Sequence, residues 1–149
     1  MKTKILVLLL FSLTLSSCDP YILRVAIDGD GFEKSFNFEY GKVNVRCSVL
    51  ADRQISTFLK FKLDFPISVN PEKLEITHRG EILTAEIHLN KMPLVVEIKN
   101  INNDDEIRII VNRVVQVGDT IKINIDNFIV CYGKPLEIGD INLIFVSRR

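Results

Sequence analysis

The sequence predicts an all-β fold, an antiparallel β-sandwich, and two features carry that prediction. Apolar and polar residues alternate along most of the 149-residue chain, and turn-forming residues recur at short intervals. Alternation with a period of two places one face of a strand on a core and the other face in water. Half-polar strands separated by frequent turns favour antiparallel pairing, because a doubly covered parallel sheet needs apolar runs and crossover helices.

The alternation is regular in two segments. In residues 58–65, apolar side chains alternate with Lys60, Lys62 and Asp64, and in residues 120–126 isoleucines alternate with polar residues. Such segments are strands, since helical spacing would distribute the same apolar residues around a whole cylinder. The other segments with strand patterning, in chain order, are 22–27, 35–40, 43–49, 73–78, 83–89, 94–101, 106–117 and 140–146. About eight or nine short strands are expected among them.

Turn residues separate these segments. Glycine supplies positive φ, and Asn or Asp side chains bond to nearby backbone groups, so both residue types favour tight turns. The turns predicted on this basis are 28–31 (read as a hairpin), 79–81, 102–105, 118–119 and 133–135.

Two of the strand edges resemble those of a known family. Residues 65–71 (Phe-Pro-Ile-Ser-Val-Asn-Pro) and 118–121 (Gly-Asp-Thr-Ile) look like strand edges in bacterial immunoglobulin-like domains. The resemblance implies an immunoglobulin-like β-sandwich, although the chain contains no tryptophan and therefore lacks the core tryptophan of antibody domains. A small β-barrel is the alternative fold.

The N-terminus has the pattern of a secretory signal peptide. Lys2 and Lys4 precede an apolar run over residues 5–15. Eleven helical residues rise only about 16 Å, roughly half of a hydrocarbon core, so this run is too short to be a permanent membrane span. Small residues follow it, as expected near a cleavage site.

The end of this leader, Leu15-Ser16-Ser17-Cys18, resembles the lipobox of bacterial lipoproteins. The resemblance implies a diacylglyceryl group on the sulfur of Cys18, cleavage before that residue, and acylation of the new amine. Two or three acyl chains hold a protein stably on a bilayer. The predicted organisation is therefore a signal peptide over 1–17, a short tether over 18–21, and one β-sandwich domain over 22–149. An ordinary signal peptide cut near Ser17, with Cys18 a spare thiol, is the alternative.

The lipobox resemblance also implies a location, the bacterial cell envelope. Asp19 resembles the signal that retains enteric lipoproteins in the inner membrane, so a periplasm-facing membrane is expected. From Cys18 to a first strand near Ile22 the chain reaches about 14 Å at most. The sequence thus predicts a domain that lies close to the bilayer.

Charge argues against a nucleic-acid partner. Removal of the leader takes Lys2 and Lys4 with it, which leaves 17 basic and 19 acidic residues and a net charge of −2. No basic stripe or RNA-binding aromatic motif is present in the sequence, and both are typical of nucleic-acid-binding domains.

The remaining cysteines, Cys47 and Cys131, form a pair in a protein expected to be exported. Cys47 is in phase with the inward valines of residues 43–49, and Cys131 is in phase with the isoleucines of 121–125 if no bulge intervenes. A disulfide joining the two sheets, as in antibody domains, is predicted; it would stabilise by about 4 kcal/mol in the chain-entropy model. The alternative is two buried thiols that pack as small apolar residues.

The sequence offers little support for catalysis, a metal or a cofactor. His78 and His88, the only histidines, lack metal-ligand spacing and are interpreted as turn and surface residues. No nucleophile elbow is present. Residues 28–31 and 102–106 invite a calcium interpretation, but the ligand spacing of an EF-hand is missing and solvated turns explain both segments.

The sequence therefore predicts a non-enzymatic, membrane-anchored module that binds or helps to assemble another envelope protein, with no cofactor. A carbohydrate- or peptidoglycan-binding module is the first alternative and predicts aromatic side chains grouped on one exposed face. A small enzyme or an inhibitor of a secreted hydrolase is the second.

Overall fold

A computed structural model describes residues 23–50 and 53–147, which form strands joined by turns and one short 3-10 turn at Pro71–Lys73. The strands are β1 (Leu23–Ile27), β2 (Glu33–Phe38), β3 (Gly41–Leu50), β4 (Gln54–Leu63), β5 (Ile67–Val69), β6 (Glu75–His78), β7 (Glu81–Ile82), β8 (Glu86–Leu89), β9 (Met92–Pro93), β10 (Ile98–Ile101), β11 (Glu106–Asn112), β12 (Thr120–Asn124), β13 (Ile129–Cys131), β14 (Lys134–Pro135) and β15 (Asp140–Ser147).

The strands form three sheets, and all pairings between the described strands are antiparallel. The first sheet has the order β1-β15-β12-β6-β7, and the second has the order β2-β3-β4-β11-β8-β9. A smaller third sheet has the order β10-β5-β13-β14. Side chains from all three sheets meet in one hydrophobic core.

Each sheet is open, with two edge strands. The predicted all-β, antiparallel sandwich is therefore confirmed, and the alternative of a small barrel is wrong. The immunoglobulin-like arrangement of strands stays a prediction.

The alternation in the sequence produces the core as expected. In β3 and β4 the inward residues face each other in register, with Val43 opposite Phe61 and Val45 opposite Leu59. The isoleucines of 121–125, in β12 and directly after it, are buried, while Lys122 between two of them is exposed. Burial of each aliphatic side chain stabilises the fold by about 1.5–3 kcal/mol.

The strand count differs from the prediction. The described residues form fifteen strands instead of eight or nine, since five of them contain only two or three residues: β5, β7, β9, β13 and β14. Pairings this short contain too few residues to show a period of two. Three predicted strands are also shorter by three residues or more, because residues 83–85, 94–97 and 113–117 lie outside the strands.

The turn at residues 28–31 is present and is closed by one antiparallel bridge between Ile27 and Gly31, but the hairpin does not continue into paired strands. It leads from β1 in the first sheet to β2 in the second, so its flanking strands pair with other partners. Asp28 adopts φ 49° and its carboxylate accepts hydrogen bonds from the backbone and side chain of Asn142, both at 2.9 Å. These bonds fix the crossover between the two sheets.

Candidate functional site

The predicted lipid-attachment residue, Cys18, lies outside the described residues, together with the leader over 1–17 and the tether over 18–21. Within residues 23–50 and 53–147, no helix is long and apolar enough to cross a membrane. The lipid anchor therefore stays a prediction from the sequence.

The predicted disulfide between Cys47 and Cys131 is absent, since both residues are free thiols. Cys131 lines a cleft with Phe38 and Tyr40. Phe38 pairs with Gly41, the first residue of β3. Cys47 lies six positions further along β3, on the order of 20 Å at 3.3 Å per residue. A disulfide needs Cα atoms within about 7 Å, so the two cysteines face the core at separate places and do not bridge it.

Burial makes both thiols poor nucleophiles. It raises the pKa of Cys47 to about 12, even though Thr57 Oγ1 donates a weak hydrogen bond to Sγ at 3.9 Å. Burial also raises the pKa of Cys131 above its ordinary value of 9.0. The thiolate is the reactive form of cysteine, so these positions fit packing roles and not covalent catalysis.

His78 is not the turn or surface residue that the sequence suggested, because only 2% of its side chain is exposed. It ends β6, two positions after the buried Ile76, and so shares the inward face of that strand. Its Nδ1 accepts a hydrogen bond from Arg113 Nε at 3.2 Å. The ring proton therefore belongs on Nε2, which lies 3.4 Å from Asp119 Oδ2. This contact is electrostatic, and no described residue hydrogen-bonds to Nε2.

Asp119 is the centre of this network. Its Oδ1 accepts hydrogen bonds from Arg79 Nη2 at 2.6 Å and Nε at 2.9 Å, and its Oδ2 accepts one from the Gln116 N–H at 2.8 Å. Burial alone raises the pKa of the carboxyl group, but the Gln116 hydrogen bond and the Arg79 guanidinium outweigh it, so the pKa lies below 3.8. The carboxylate is thus charged near neutral pH.

The network fits a structural role. Arg113 also bonds Glu81 on β7 at 2.6 Å, so the group joins the β6–β7 hairpin to the loop that precedes β12. A histidine with 2% exposure is out of reach of a dissolved substrate. His88, by contrast, lies on the outer face of β8, with Nε2 3.9 Å from Glu86 Oε2.

The two calcium candidates are occupied by contacts within the chain. Lys34 Nζ lies 3.2 Å from Asp28 Oδ2 and 3.1 Å from Asp30 Oδ2, so an ammonium group stands where a cation would bind. In the second candidate, Asp105 caps its own loop by accepting the Asn102 N–H at 2.9 Å. Among the residues that the structure describes, no group of three or more His, Cys, Asp or Glu side chains is placed to hold a metal ion.

A cluster of three aromatic rings, two of them exposed and one half-buried, is a feature that the sequence did not predict. Tyr40, Phe65 and Tyr132 come from three separate turns, and their ring centroids lie 5.0–6.0 Å apart in edge-to-face contacts. We call these three residues the aromatic cluster. Tyr132 is 65% exposed and Phe65 is 42% exposed. The alternation of Phe36, Phe38 and Tyr40 along one strand predicted only core packing.

The aromatic cluster lies between two clefts. One, of about 310 Å³, is lined by Phe65 and by the polar residues Asp64, Asn102, Asn103 and Asp104. The other, of about 320 Å³, is lined by Tyr40 and by polar residues that include Asn37, Glu39, Lys134 and Glu137. Aromatic surface with polar groups on either side is typical of a site for a small polar ligand.

A second exposed feature is an apolar segment at the edge of the six-stranded sheet. Met92 belongs to the edge strand β9, and Val95 and Val96 follow it; all three are well exposed. No charged residue lies between Lys91 and Glu97. We call residues 92–96 the apolar edge segment.

Comparisons with protein-family models, with curated proteins and with solved structures find no match for this chain.

Proposed function

We propose that the protein is a lipid-anchored component of a bacterial cell envelope whose β-sandwich binds another envelope protein without catalysing a reaction. The anchor is supported by the leader and by the lipobox resemblance at Cys18. The binding role is supported above all by the apolar edge segment.

The anchor holds the domain close to the bilayer. Five residue steps separate Cys18 from Leu23, where β1 begins, and a fully extended chain spans about 18 Å over that distance. The β-sandwich therefore meets partners near the membrane surface, in the membrane or attached to it.

The apolar edge segment is suited to a partner with an extended apolar stretch. Exposed edge strands are usually protected by charged residues or by proline. This segment has no charge between its two ends, and Pro93 is its one protective residue. Its inward residue, Leu94, is buried, and the Leu94 N–H donates to the Ile87 carbonyl at 2.7 Å, which fixes the segment on the sheet. Val95 and Val96 follow β9 outside the strand and stay exposed, so a partner strand that pairs with β9 would lie against them.

Labelling tests the anchor. Cells that express the full chain are grown with radiolabelled palmitate, and the envelope fraction is compared with that of a Cys18→Ala variant. We expect label in the wild type, none in the variant, and loss of the variant from the envelope fraction. An unlabelled wild type, together with a variant that still sediments with envelopes, contradicts the anchor.

Crosslinking in living cells tests the partner. A photoreactive residue at Val95 is expected to capture one envelope protein, and Val96→Asp in the same chain is expected to abolish that capture. Ile82→Asp is the matched control, because Ile82 is an equally exposed aliphatic residue on β7, the edge of the other large sheet. Capture that Ile82→Asp removes as well, or that Val96→Asp leaves intact, contradicts docking at the apolar edge segment.

A further inference from the structure

We infer that the aromatic cluster of Tyr40, Phe65 and Tyr132 is a binding site for an uncharged oligosaccharide. This inference is independent of the lipid anchor and of the protein partner, since it rests on a different part of the molecule.

The backbone of Tyr132 has a positive φ, which is unfavourable for a bulky residue. Tyr132 and Gly133 form the two-residue turn between β13 and β14, with φ values of 51° and 74°. Turns with two positive φ values favour Asn, Asp or Gly at the first position, and a bulky residue there costs conformational energy. Tyr132 leaves 65% of its surface in water, so burial of the ring does not compensate for this cost. Arg79 takes the corresponding position in the β6–β7 turn, also with φ 51°, so what distinguishes Tyr132 is an exposed aromatic ring at such a position.

Each of the three rings contacts the other two. The three rings come from different parts of the chain: Tyr40 follows β2, Phe65 follows β4, and Tyr132 follows β13. The fold brings them together at one place. Each ring packs its edge against a neighbour, so the edge-to-face contacts hold the cluster rigid. A preorganised aromatic surface binds a ligand with little loss of side-chain entropy.

The two clefts beside the cluster contain side chains that can hydrogen-bond to hydroxyl groups. Their amide and carboxylate groups offer donors and acceptors for hydroxyl groups, and each volume is at the small end of the range for ligand sites, about 300–1,000 Å³. A sugar ring has an apolar C–H face that stacks on an aromatic ring and a rim of hydroxyls that reaches such polar groups. A chain of two or more sugars would span the cluster from one cleft to the other.

Charge decides between ligands that stack on aromatic rings. The charged residues that line the two clefts are Asp64, Asp104, Glu39, Glu137 and one cation, Lys134. Four carboxylates against one ammonium repel phosphates, so nucleotides and nucleic acids are disfavoured, as are acidic sugars. Protein hot spots need a broad apolar centre, whereas about half of the residues that line each cleft are polar or charged.

Tyrosine fluorescence provides the readout. The chain has no tryptophan and three tyrosines, of which Tyr40 and Tyr132 belong to the cluster. In the full chain with Tyr21→Phe, purified in detergent, all tyrosine emission then comes from the site. The probes are chitohexaose and a soluble β-glucan hexasaccharide as neutral ligands, and oligogalacturonate as an anionic ligand. We expect saturable changes in emission with at least one neutral probe and none with the anionic probe.

Tyr132→Asn is the decisive variant. Asparagine tolerates positive φ, so the variant is expected to fold at least as stably as the parent protein. Binding, followed by the emission of Tyr40 and by calorimetry, is expected to weaken by about tenfold or more. Phe32→Ala is the matched control, because Phe32 is a similarly exposed aromatic residue outside the cluster and its loss should leave binding unchanged.

Three results would overturn the inference. They are no response to either neutral oligosaccharide, equal binding by the Tyr132→Asn variant and the parent, and preferential binding of the anionic probe. Loss of the crosslinked protein partner on Tyr132→Asn would instead assign the cluster to protein docking. A lipid anchor that failed its own palmitate test would leave these outcomes unchanged.

Discussion

Asp119 lies against His78 inside the protein, with Oδ2 of the carboxylate 3.4 Å from Nε2 of the imidazole and both side chains buried. The same aspartate is tied to β15 through its backbone, since its carbonyl accepts the Phe145 N–H at 3.0 Å. One residue thus connects the β6–β7 hairpin, the loop before β12, and β15. The contacts of Asp119 with Arg79, Gln116 and Phe145 hold these three parts of the protein together.

Replacing Asp119 should destabilise the fold strongly. Asp119→Ala leaves the Gln116 N–H and the Arg79 guanidinium without their acceptor and removes the charge beside His78. Such losses cost about 2–4 kcal/mol in the free energy of unfolding. Urea denaturation measures the change. Asp104→Ala, which removes an exposed carboxylate, is the control and should change stability by less than about 0.5 kcal/mol. Similar losses of unfolding free energy in the two variants would show that the contacts of Asp119 contribute no more to stability than an exposed carboxylate does.

Acid should weaken the contacts of the Asp119 carboxylate. The pKa of Asp119 is below 3.8 in the folded chain, where the Gln116 hydrogen bond and Arg79 outweigh the effect of burial. For Asp28, hydrogen bonds from Asn142 and Lys34 likewise outweigh burial and lower the pKa. A carboxyl group with a lowered pKa stabilises the fold above its unfolded value and loses that contribution as pH falls through the folded value.

The free energy of unfolding is therefore expected to be steady from pH 7 to about 5 and to fall below about pH 4. Urea titrations at a series of pH values measure this dependence. The Asp119→Ala variant should show a shallower decline below pH 4, since it has already lost part of the effect. A decline as steep as in the parent would remove Asp119 from the explanation.

The free thiols should be inert in the folded protein. The pKa of Cys47 is about 12, and burial raises that of Cys131 above 9.0, so both thiols are mainly protonated at pH 8. We expect iodoacetamide to leave both unmodified in the native chain and to modify both in urea, as followed by mass spectrometry of peptides. Rapid native alkylation of Cys47 contradicts the burial, and a peptide that joins Cys47 to Cys131 contradicts the separation of the two residues.

Local patterning predicted most of the strands, and it also held a signal for His78. The period of two fixes which side of a strand faces the core, and His78 is two positions after Ile76, so its burial follows from the same rule. The neighbouring Arg79-Gly80 turn drew the interpretation toward the surface instead. Its partner Asp119 is 41 positions away, and only the three-dimensional pairing of β6 with β12 brings the two together.

The aromatic cluster lay beyond sequence reasoning for a related reason. Tyr40, Phe65 and Tyr132 share no spacing, since each follows a different strand and the third sheet determines where Tyr132 lies. Within the cluster, the local irregularity is a tyrosine at the first position of a turn with positive φ, a position that Arg79 takes in the β6–β7 turn. It becomes visible only once the two-residue length of the β13–β14 turn is known.

Gly41 should tolerate no side chain. It opens β3 opposite Leu63 with φ 146°, and a Cβ there would overlap the Lys62 carbonyl oxygen and lie 3.0 Å from Leu63 Cα. Both obstacles are backbone atoms of β4, which cannot move without shifting the β3–β4 pairing. We expect Gly41→Ala to cost about 2–3 kcal/mol, measured by urea denaturation. Gly31→Ala is the control, since a Cβ at Gly31 meets nothing within 4 Å and its φ is not positive.

Because Gly41 follows Tyr40, a shift of this pairing should also displace the aromatic cluster, so Gly41→Ala is expected to alter the emission of Tyr40 while Gly31→Ala leaves it unchanged. Equal stability of the two variants would mean that β3 and β4 do not approach this closely.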